Sequence, residues 1–122
     1  MILDDLFSAV SDFDADRLAA IVHDDVRFSE MPNLINPQGT ERDRAAALAG
    51  IEKGRELLAA QSYDVHERLV ADDTIAARVT WRGMLKSGQE LTAHIATFTQ
   101  TRDGRILRHA TYDCYEPLSH IS

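Results

Sequence analysis

Hydrophobic and β-branched residues are frequent in two segments near the C-terminus, residues 89–101 and 105–115. Asp103-Gly104 lies between them. This dipeptide is typical of tight hairpin turns, because such turns need positive φ angles and glycine adopts them without steric cost. Thr and Ile in both segments, Phe in the first and Tyr in the second suit a pleated, half-buried surface. The pattern therefore predicts a long antiparallel β-hairpin.

Alternation along these strands assigns side chains to faces. In the first strand His94 and Phe98 share one face and Ala93 and Ile95 share the other. In the second strand one face carries mainly ionisable, polar and aromatic side chains, namely Leu107, His109, Thr111, Asp113 and Tyr115. Such a face is typical of either a solvated sheet surface or a pocket lined by polar groups, and a β-bulge would exchange the two faces.

Upstream, apolar residues recur every three or four positions and predict helices. Asp14 is the expected N-cap of the second helix, and Pro32 is expected to end a short strand. The predicted helices cover residues 2–12, 15–23 and 41–61, and the predicted strands cover residues 26–31, 63–71 and 74–85. This order predicts one α+β domain over residues 1–122, with helices on one side of a mostly antiparallel sheet.

Composition and charge exclude several classes of protein. A net charge of −7 argues against a nucleic-acid partner, which requires a basic surface. The single Cys114 excludes an internal disulfide and favours a reducing compartment. No apolar run is long enough to span a membrane, and no signal peptide is evident. We therefore expect a soluble cytoplasmic protein without a membrane partner.

Motifs for metals and cofactors are absent from the sequence. The five histidines are scattered, with His120 expected at the surface of the C-terminal tail. We find no glycine-rich phosphate loop, nucleophile elbow or dinucleotide fingerprint. Arg42, Arg44, Lys53 and Arg55 alternate with glutamates, which is typical of a solvated helix surface. We expect neither a metal nor a cofactor.

Five sequence motifs, in this order and spacing, carry a family resemblance: DADRL at 14–18, HDDVRFSEMP at 23–32, VTWRG at 79–83, TF at 97–98 before DGRI at 103–106, and YDCYEP at 112–117. Together with the order of elements, they resemble the nuclear transport factor 2-like (cystatin-like) superfamily, which includes ketosteroid isomerases, SnoaL-like polyketide cyclases and limonene-epoxide-hydrolase-like enzymes. The resemblance implies a cone-shaped α+β fold, in which a strongly curved sheet wraps around helices and encloses an apolar pocket. It also implies a homodimer formed through the outer sheet face.

The resemblance suggests three catalytic residues. Glu30 falls where the isomerases keep a carboxylate base. His94 falls where they keep a protonated Asp that donates to the enolate oxygen. Asp113 falls near the last-strand acid of the epoxide-hydrolase-like enzymes, whose Arg-x-Asp pair has no clear match here. The tyrosine that shares the isomerases' oxyanion role is also unmatched, because Leu6 occupies its position.

Each candidate also has a purely structural interpretation. Glu30, at a strand end among apolar neighbours, is either an acid/base group or an exposed glutamate. His94 is either a pocket-wall group or a donor to a substrate oxygen. Asp113 could meet His94 across the hairpin and orient its imidazole, or it could simply fix the strand register. The expected ligand-binding wall comprises Phe28, Met31, Tyr63, Val79, Trp81, Phe98, His109, Thr111 and Tyr115.

These observations predict a domain that binds a small apolar or carbonyl-containing ligand. Its expected chemistry is cofactor-free proton transfer, as in an isomerase or cyclase, on a carbonyl or polycyclic compound. Glu30 would be the base, and His94 supported by Asp113 would be the donor. One alternative is a non-catalytic binding or dimerisation module. Another is addition of water to an epoxide-like substrate, with Asp113 and His94 activating the water.

Overall fold

A computed structural model describes residues 1–118 of the chain; His120 lies outside the described residues. The described part contains three helices, α1 (Ile2–Ser11), α2 (Ala15–Ile21) and α3 (Arg44–Leu57). It contains six strands, β1 (Val22–Glu30), β2 (Thr40–Arg42), β3 (Leu58–Ala71), β4 (Thr74–Leu85), β5 (Glu90–Arg102) and β6 (Arg105–Tyr115).

The helices begin where side chains can cap them. Asp14 accepts a hydrogen bond from the backbone N–H of Arg17 at 3.1 Å, as expected for the N-cap of α2. Asp43 caps α3 in the same way, with the N–H of Ala46 at 2.9 Å. This cap explains why the predicted helix over 41–61 is too long. Residues before Asp43 pair with β1, and residues after Leu57 pair with β4.

The strands form one curved, open, mixed sheet with the order β2-β1-β6-β5-β4-β3. The β1–β6 pair is parallel, and the other pairs are antiparallel. Helices pack against the inner face, and the two layers share a core that includes Leu3, Leu6, Ile51, Val79 and Ile106. The α+β fold class predicted from the sequence is confirmed. No helix within residues 1–118 combines the length and the apolar character needed to cross a membrane.

The predicted hairpin is present, with a turn in which Asp103 has φ 53° and Gly104 has φ 77°. Two consecutive positive φ angles are typical of a type I′ turn. The ladder starts with Arg102 opposite Arg105 and then shifts between Gln100 and Thr101, where Leu107 is left without a partner. This is a β-bulge. It places Ile106 in the core, fully buried, whereas Leu107 is only half-buried.

Candidate functional site

A cavity of about 250 Å³ lies between the helices and the inner face of the sheet. Most of its wall is apolar and comes from α1, α2, α3 and the middle of the sheet. The apolar lining residues are Leu6, Phe7, Val10, Leu18, Phe28, Ala47, Gly50, Ile51, Val79 and Ile95. The polar lining residues are Ser29, Glu30, Arg42, Tyr63, Thr97, His109, Thr111 and Asp113. A small apolar cavity with a few convergent polar groups is the usual form of a ligand site.

Glu30 is the last residue of β1 and lies opposite Thr111 of β6. Its Oε2 accepts a hydrogen bond from Asn33 Nδ2 at 2.7 Å, and the same amide group donates to the carbonyl of Met31 at 2.9 Å. The Asn33 side-chain oxygen in turn accepts the backbone N–H groups of Ile35 and Asn36. The loop after β1 therefore holds the Glu30 carboxylate in place at the half-buried end of the cavity.

Asp113 lies on β6, directly opposite Ile95 of β5. Burial raises the pKa of the Asp113 carboxyl, and the nearby Glu30 carboxylate raises it further, while the Thr111 hydroxyl opposes the shift. Its Oδ1 is inaccessible and has no hydrogen-bond partner within residues 1–118. Asp113 therefore keeps its proton to a higher pH than an ordinary aspartate. Its Oδ1 is available to form a hydrogen bond with a ligand.

Thr97 supplies a second buried polar atom without a hydrogen-bond partner among the described residues. Thr97 pairs with Thr111, two residues before Asp113, and lies on the same cavity wall. Its Oγ1 is also buried without a partner in the described part of the chain. Buried polar atoms are rarely left unpaired unless a ligand or an ordered water satisfies them. The wall near Asp113 is therefore suited to a polar ligand atom.

His109 is buried and lies opposite Thr99 in the β5–β6 ladder. Its Nδ1 shares a hydrogen bond of 2.8 Å with Thr99 Oγ1, and its ring meets Phe7 and Phe28 edge to face. Burial lowers the pKa of His109 to about 4, so the imidazole is neutral at pH 7. The bond to Thr99 leaves Nε2 as the ring nitrogen that a ligand could use.

Tyr63 on β3 stacks on Phe7, with ring centroids 4.4 Å apart. Its pKa is raised, first by burial and then by the negative charges of Asp113, Tyr115 and Glu30. The phenol therefore stays protonated and can donate a hydrogen bond. The sequence predicted Tyr63 as a residue of the ligand-binding wall. Its role as a hydrogen-bond donor was not predicted, because the tyrosine of the isomerases corresponds to Leu6 in α1, whereas Tyr63 reaches the cavity from β3.

The sequence over residues 3–109 matches the SnoaL-like domain family. The chain belongs to this family. No curated protein sequence matches it closely enough to count as a relative. Within residues 1–118, no three His, Cys, Asp or Glu side chains come together as a metal site.

Solved structures share the SnoaL-like fold. Wild-type IdmH of Streptomyces antibioticus, described as a proposed polyketide cyclase, is 21% identical, with a TM-score of 0.74, over 91% of this chain and 88% of that one. A ketosteroid isomerase-like protein of Catenulispora acidiphila, solved with trimethylamine, is 16% identical, with a TM-score of 0.78, over 91% and 83%. An epoxide hydrolase of the LEH type from M. tuberculosis is 13% identical, with a TM-score of 0.73, over 93% and 79%. At these identities the likeness concerns the fold.

The SnoaL-like cavity contains Glu30 and Asp113 but not His94, so the prediction that His94 works there is wrong. The His94 side chain lies on the outer sheet face, 55% exposed, with Nε2 2.7 Å from Glu116 Oε2. The bulge at Leu107 is the reason. Continued without the bulge, the ladder from Arg102–Arg105 would place Asp113 opposite His94; the shift places Asp113 opposite Ile95 instead.

Phe98 shares the outer face with His94, and its predicted place on the ligand-binding wall is also wrong. Its side chain is 47% exposed and meets the ring of Tyr112 edge to face at 5.9 Å. The inner face of β5 instead carries Ala93, Ile95, Thr97 and Thr99, which are all buried.

Of the other predicted wall residues, Phe28, Tyr63, Val79, His109 and Thr111 line the cavity, whereas Met31, Trp81 and Tyr115 are not among its lining residues. Trp81 lies over Gly83, its Nε1 donates to Gln61 Oε1 at 2.9 Å, and its ring meets Tyr115 at 6.3 Å. This aromatic pair extends the core past the end of the cavity. Burial raises the pKa of Tyr115 to about 12.

Sequence reasoning missed the contribution of Arg42. The predicted helix began at Glu41 and placed Arg42 on a solvated surface. In the structure Arg42 belongs to β2, lies opposite Phe28 of β1 and lines the cavity. The three-residue strand β2 gives too short a pattern to recognise, because alternation needs at least four residues to be visible.

Proposed function

We propose that this SnoaL-like domain binds a small apolar or carbonyl-containing ligand and transfers a proton on it without a cofactor. The observation that supports this proposal is the presence of two carboxyl groups, Glu30 and Asp113, in one largely apolar cavity. They lie on neighbouring parallel strands, two register positions apart. Apolar surroundings strengthen the electrostatic effect of such groups on a bound ligand.

In the proposed reaction the Glu30 carboxylate removes a proton from the carbon beside a carbonyl group. The electrons of the C–H bond form a C=C bond, and the π electrons of the carbonyl group move to its oxygen, which becomes an enolate oxygen. The Tyr63 hydroxyl donates a hydrogen bond to that oxygen, and Asp113 donates a second one in the pH range in which it keeps its proton. Glu30 then returns the proton to another carbon, which gives an isomer. Alternatively, the enolate carbon attacks a second carbonyl, the π electrons of that carbonyl move to its oxygen, and Glu30 returns the proton to this oxygen, which gives a ring.

His109 is assigned a binding role. Its neutral imidazole offers one nitrogen to the ligand, and its hydrogen bond to Thr99 fixes the ring. A charged imidazolium would need a pH near its lowered pKa of about 4. We therefore assign the oxyanion to Asp113 and Tyr63 rather than to a histidine cation.

The volume of the cavity limits the size of the ligand. Its volume of about 250 Å³ exceeds that of an engineered cavity of about 150 Å³ that binds benzene. It lies just below the range of about 300–1,000 Å³ that is typical of pockets for drug-sized ligands. We propose a ligand of one or two rings inside the cavity, with any larger part extending through the end at which Glu30 is half-buried.

The test uses 2-tetralone, a bicyclic ketone with an exchangeable proton beside its carbonyl group. Its deuterium exchange in D₂O is followed by proton NMR with wild-type protein and with Glu30→Gln. We expect the variant to lose about 100-fold or more of the protein-dependent rate, as for removal of a general base.

The matched control is Glu67→Gln, which removes a carboxylate from the exposed part of β3, where Glu67 contacts Arg78 at 3.4 Å. Its exchange rate should stay within about twofold of wild type, since surface substitutions change little. Equal rates for Glu30→Gln and Glu67→Gln would remove Glu30 from the proposed reaction.

A non-catalytic binding module is the second candidate function. The observation that favours it is the placement of His94 outside the cavity, which leaves one of the three expected catalytic groups missing. Saturable binding of 2-tetralone without accelerated exchange would select this function. We do not propose the addition of water to an epoxide, because Asp113 and His94, which would activate the water, lie on opposite faces of the sheet.

We also propose a homodimer formed through the outer sheet face. Phe98 and Tyr112 support this proposal, because both rings are about half exposed and lie in contact there. Sedimentation should give a dimer at micromolar concentration, and Phe98→Ser should shift it to monomer. Val70→Ser, at an exposed residue of β3 near the β3–β4 turn, should leave the dimer intact. Cytoplasmic location stays a prediction from the single cysteine.

A further inference from the structure

Arg42 carries a positive charge at the cavity and is not used by the proton transfer described above. It lies directly opposite Phe28 in the β1–β2 ladder, and both side chains line the cavity. Its Nε is 3.8 Å from the position that a Cβ on Gly50 would occupy. The guanidinium stem therefore passes against α3 where a glycine leaves room for it. Apart from the titratable His109, Arg42 is the only basic lining residue in the described chain.

Arg42 forms no ion pair with a neighbouring acidic group of the described residues. Within residues 1–118, no carboxylate oxygen lies within 4.0 Å of its guanidinium. Glu30, which is diagonal to Arg42 on the same face, accepts a hydrogen bond from Asn33. Glu41, the preceding residue, faces Arg27 on the other side of the strands.

Three other arginines of the sheet differ in this respect, whereas Arg102, Arg105 and Arg108, which also contact no carboxylate within the described residues, do not line the cavity. Arg68, Arg78 and Arg82 each contact a carboxylate, on Asp4, Glu67 and Asp64 respectively. Arg42 is thus a half-buried guanidinium with free donors at a cavity. Its planar fork matches the two oxygens of a carboxylate, and a hydrogen bond to a charged group is about twice as strong as a neutral one.

We infer that the ligand of this cavity is an acid, and that Arg42 binds its carboxylate. This inference rests on the proposed ligand-binding function and adds the substrate class. The acid group lies at the Glu30 end of the cavity, beside β2 and α3. The reacting carbonyl lies deeper, against Asp113 and Tyr63. In a protein with a net charge of −7, Arg42 supplies the local attraction that an anion needs.

The test compares three bicyclic probes of nearly equal shape: 2-naphthoate, the neutral 2-naphthamide and the cationic 2-naphthylmethylamine. Affinities are measured by isothermal titration calorimetry at pH 7.5 in 0.05 M and 0.15 M salt. We expect wild-type protein to bind the carboxylate about tenfold more tightly than the amide, because the guanidinium is half-buried and only partly screened. The preference should weaken at the higher salt concentration.

Arg42→Gln should abolish the preference for naphthoate and leave the affinity for naphthamide within about twofold, which also shows that the variant is folded. Arg42→Lys should retain part of the preference, since it keeps the charge and loses the bidentate fork. The control Arg27→Gln removes one positive charge from the outer side of β1, so it should keep the full preference.

Four results would overturn the inference. Equal affinity of naphthoate and naphthamide for wild-type protein, or an equal loss of both in Arg42→Gln, would show that Arg42 does not recognise the acid; the proposed function would stand, because the cavity still binds a ring. Preferential binding of the amine would assign the cavity to cations. No binding of any probe would reject both the inference and the proposed ligand cavity.

Discussion

Asp113 offers the sharpest test of the environment inside the cavity. Burial and the neighbouring Glu30 raise the pKa of the Asp113 carboxyl above its unfolded value. The folded protein therefore binds this proton more tightly than the unfolded chain does. As pH rises from the unfolded pKa, about 3.9, through the folded pKa, the charge of Asp113 is forced into the cavity wall and stability falls. Asp113→Asn removes this charge while keeping the size of the side chain.

The size of the effect follows from burial and from the unpaired Oδ1. Leaving a buried polar group without a partner costs about 1–3 kcal/mol, and more when the group is charged. Asparagine keeps the unpaired oxygen but not the charge. We therefore expect Asp113→Asn to be about 1–2 kcal/mol more stable than wild type at pH 8, and equal to it within about 0.5 kcal/mol near pH 3.5.

Urea unfolding followed by circular dichroism at pH 3.5, 5, 6.5 and 8 measures this difference. The control is Asp64→Asn on the outer sheet face, where Asp64 contacts Arg82 at 2.8 Å. That variant should be neutral or slightly less stable at pH 8, because it loses an exposed ion pair worth about 0–1 kcal/mol. A loss of stability in Asp113→Asn that is the same at all four pH values would refute the argument from burial.

Three further variants test the contacts around the cavity. Asn33→Ala removes the hydrogen bond that holds Glu30, so tetralone exchange should fall about tenfold while unfolding free energy changes by less than about 1 kcal/mol. His94→Ala should leave the exchange rate within twofold and change the free energy of unfolding by less than about 0.5 kcal/mol, since the contact between His94 and Glu116 is exposed. A large loss of exchange would mean that His94 takes part in the reaction. Thr99→Val leaves the buried Nδ1 of His109 unpaired and should cost about 1–3 kcal/mol in urea unfolding, whereas no loss would mean that the bond does not hold the ring.

Local sequence signals predicted most of the fold. Asp103-Gly104 encodes its own turn, and Asp14 encodes its own cap, so neither depends on distant residues. The limits of α3 were harder to predict. Helical propensity continues on both sides of the true helix, and it is overridden by pairing with β1 and β4, which lie far away in the sequence.

The site was predicted only in part, because register depends on a single residue. Glu30 and Asp113 were recognised from the family pattern and lie at one cavity. A regular β5–β6 hairpin would place His94 beside Asp113. The unpaired Leu107 shifts the register of this hairpin by one residue, so Asp113 lies opposite Ile95 instead. The opposite face of β5, with Ala93 and Ile95, was the more uniformly apolar one, and that contrast was the available signal for which face is buried.

We propose that Glu30 and Asp113 act on one ligand from two sides. A crystal structure with 2-naphthol, a stable analogue of the enol of 2-tetralone, tests it most directly. We predict the naphthol oxygen within about 2.6–3.2 Å of Asp113 or Tyr63, and the ring carbon beside it facing the Glu30 carboxylate. Naphthol bound on the outer sheet face, or inside the cavity with its oxygen turned away from both Asp113 and Tyr63, would contradict the account.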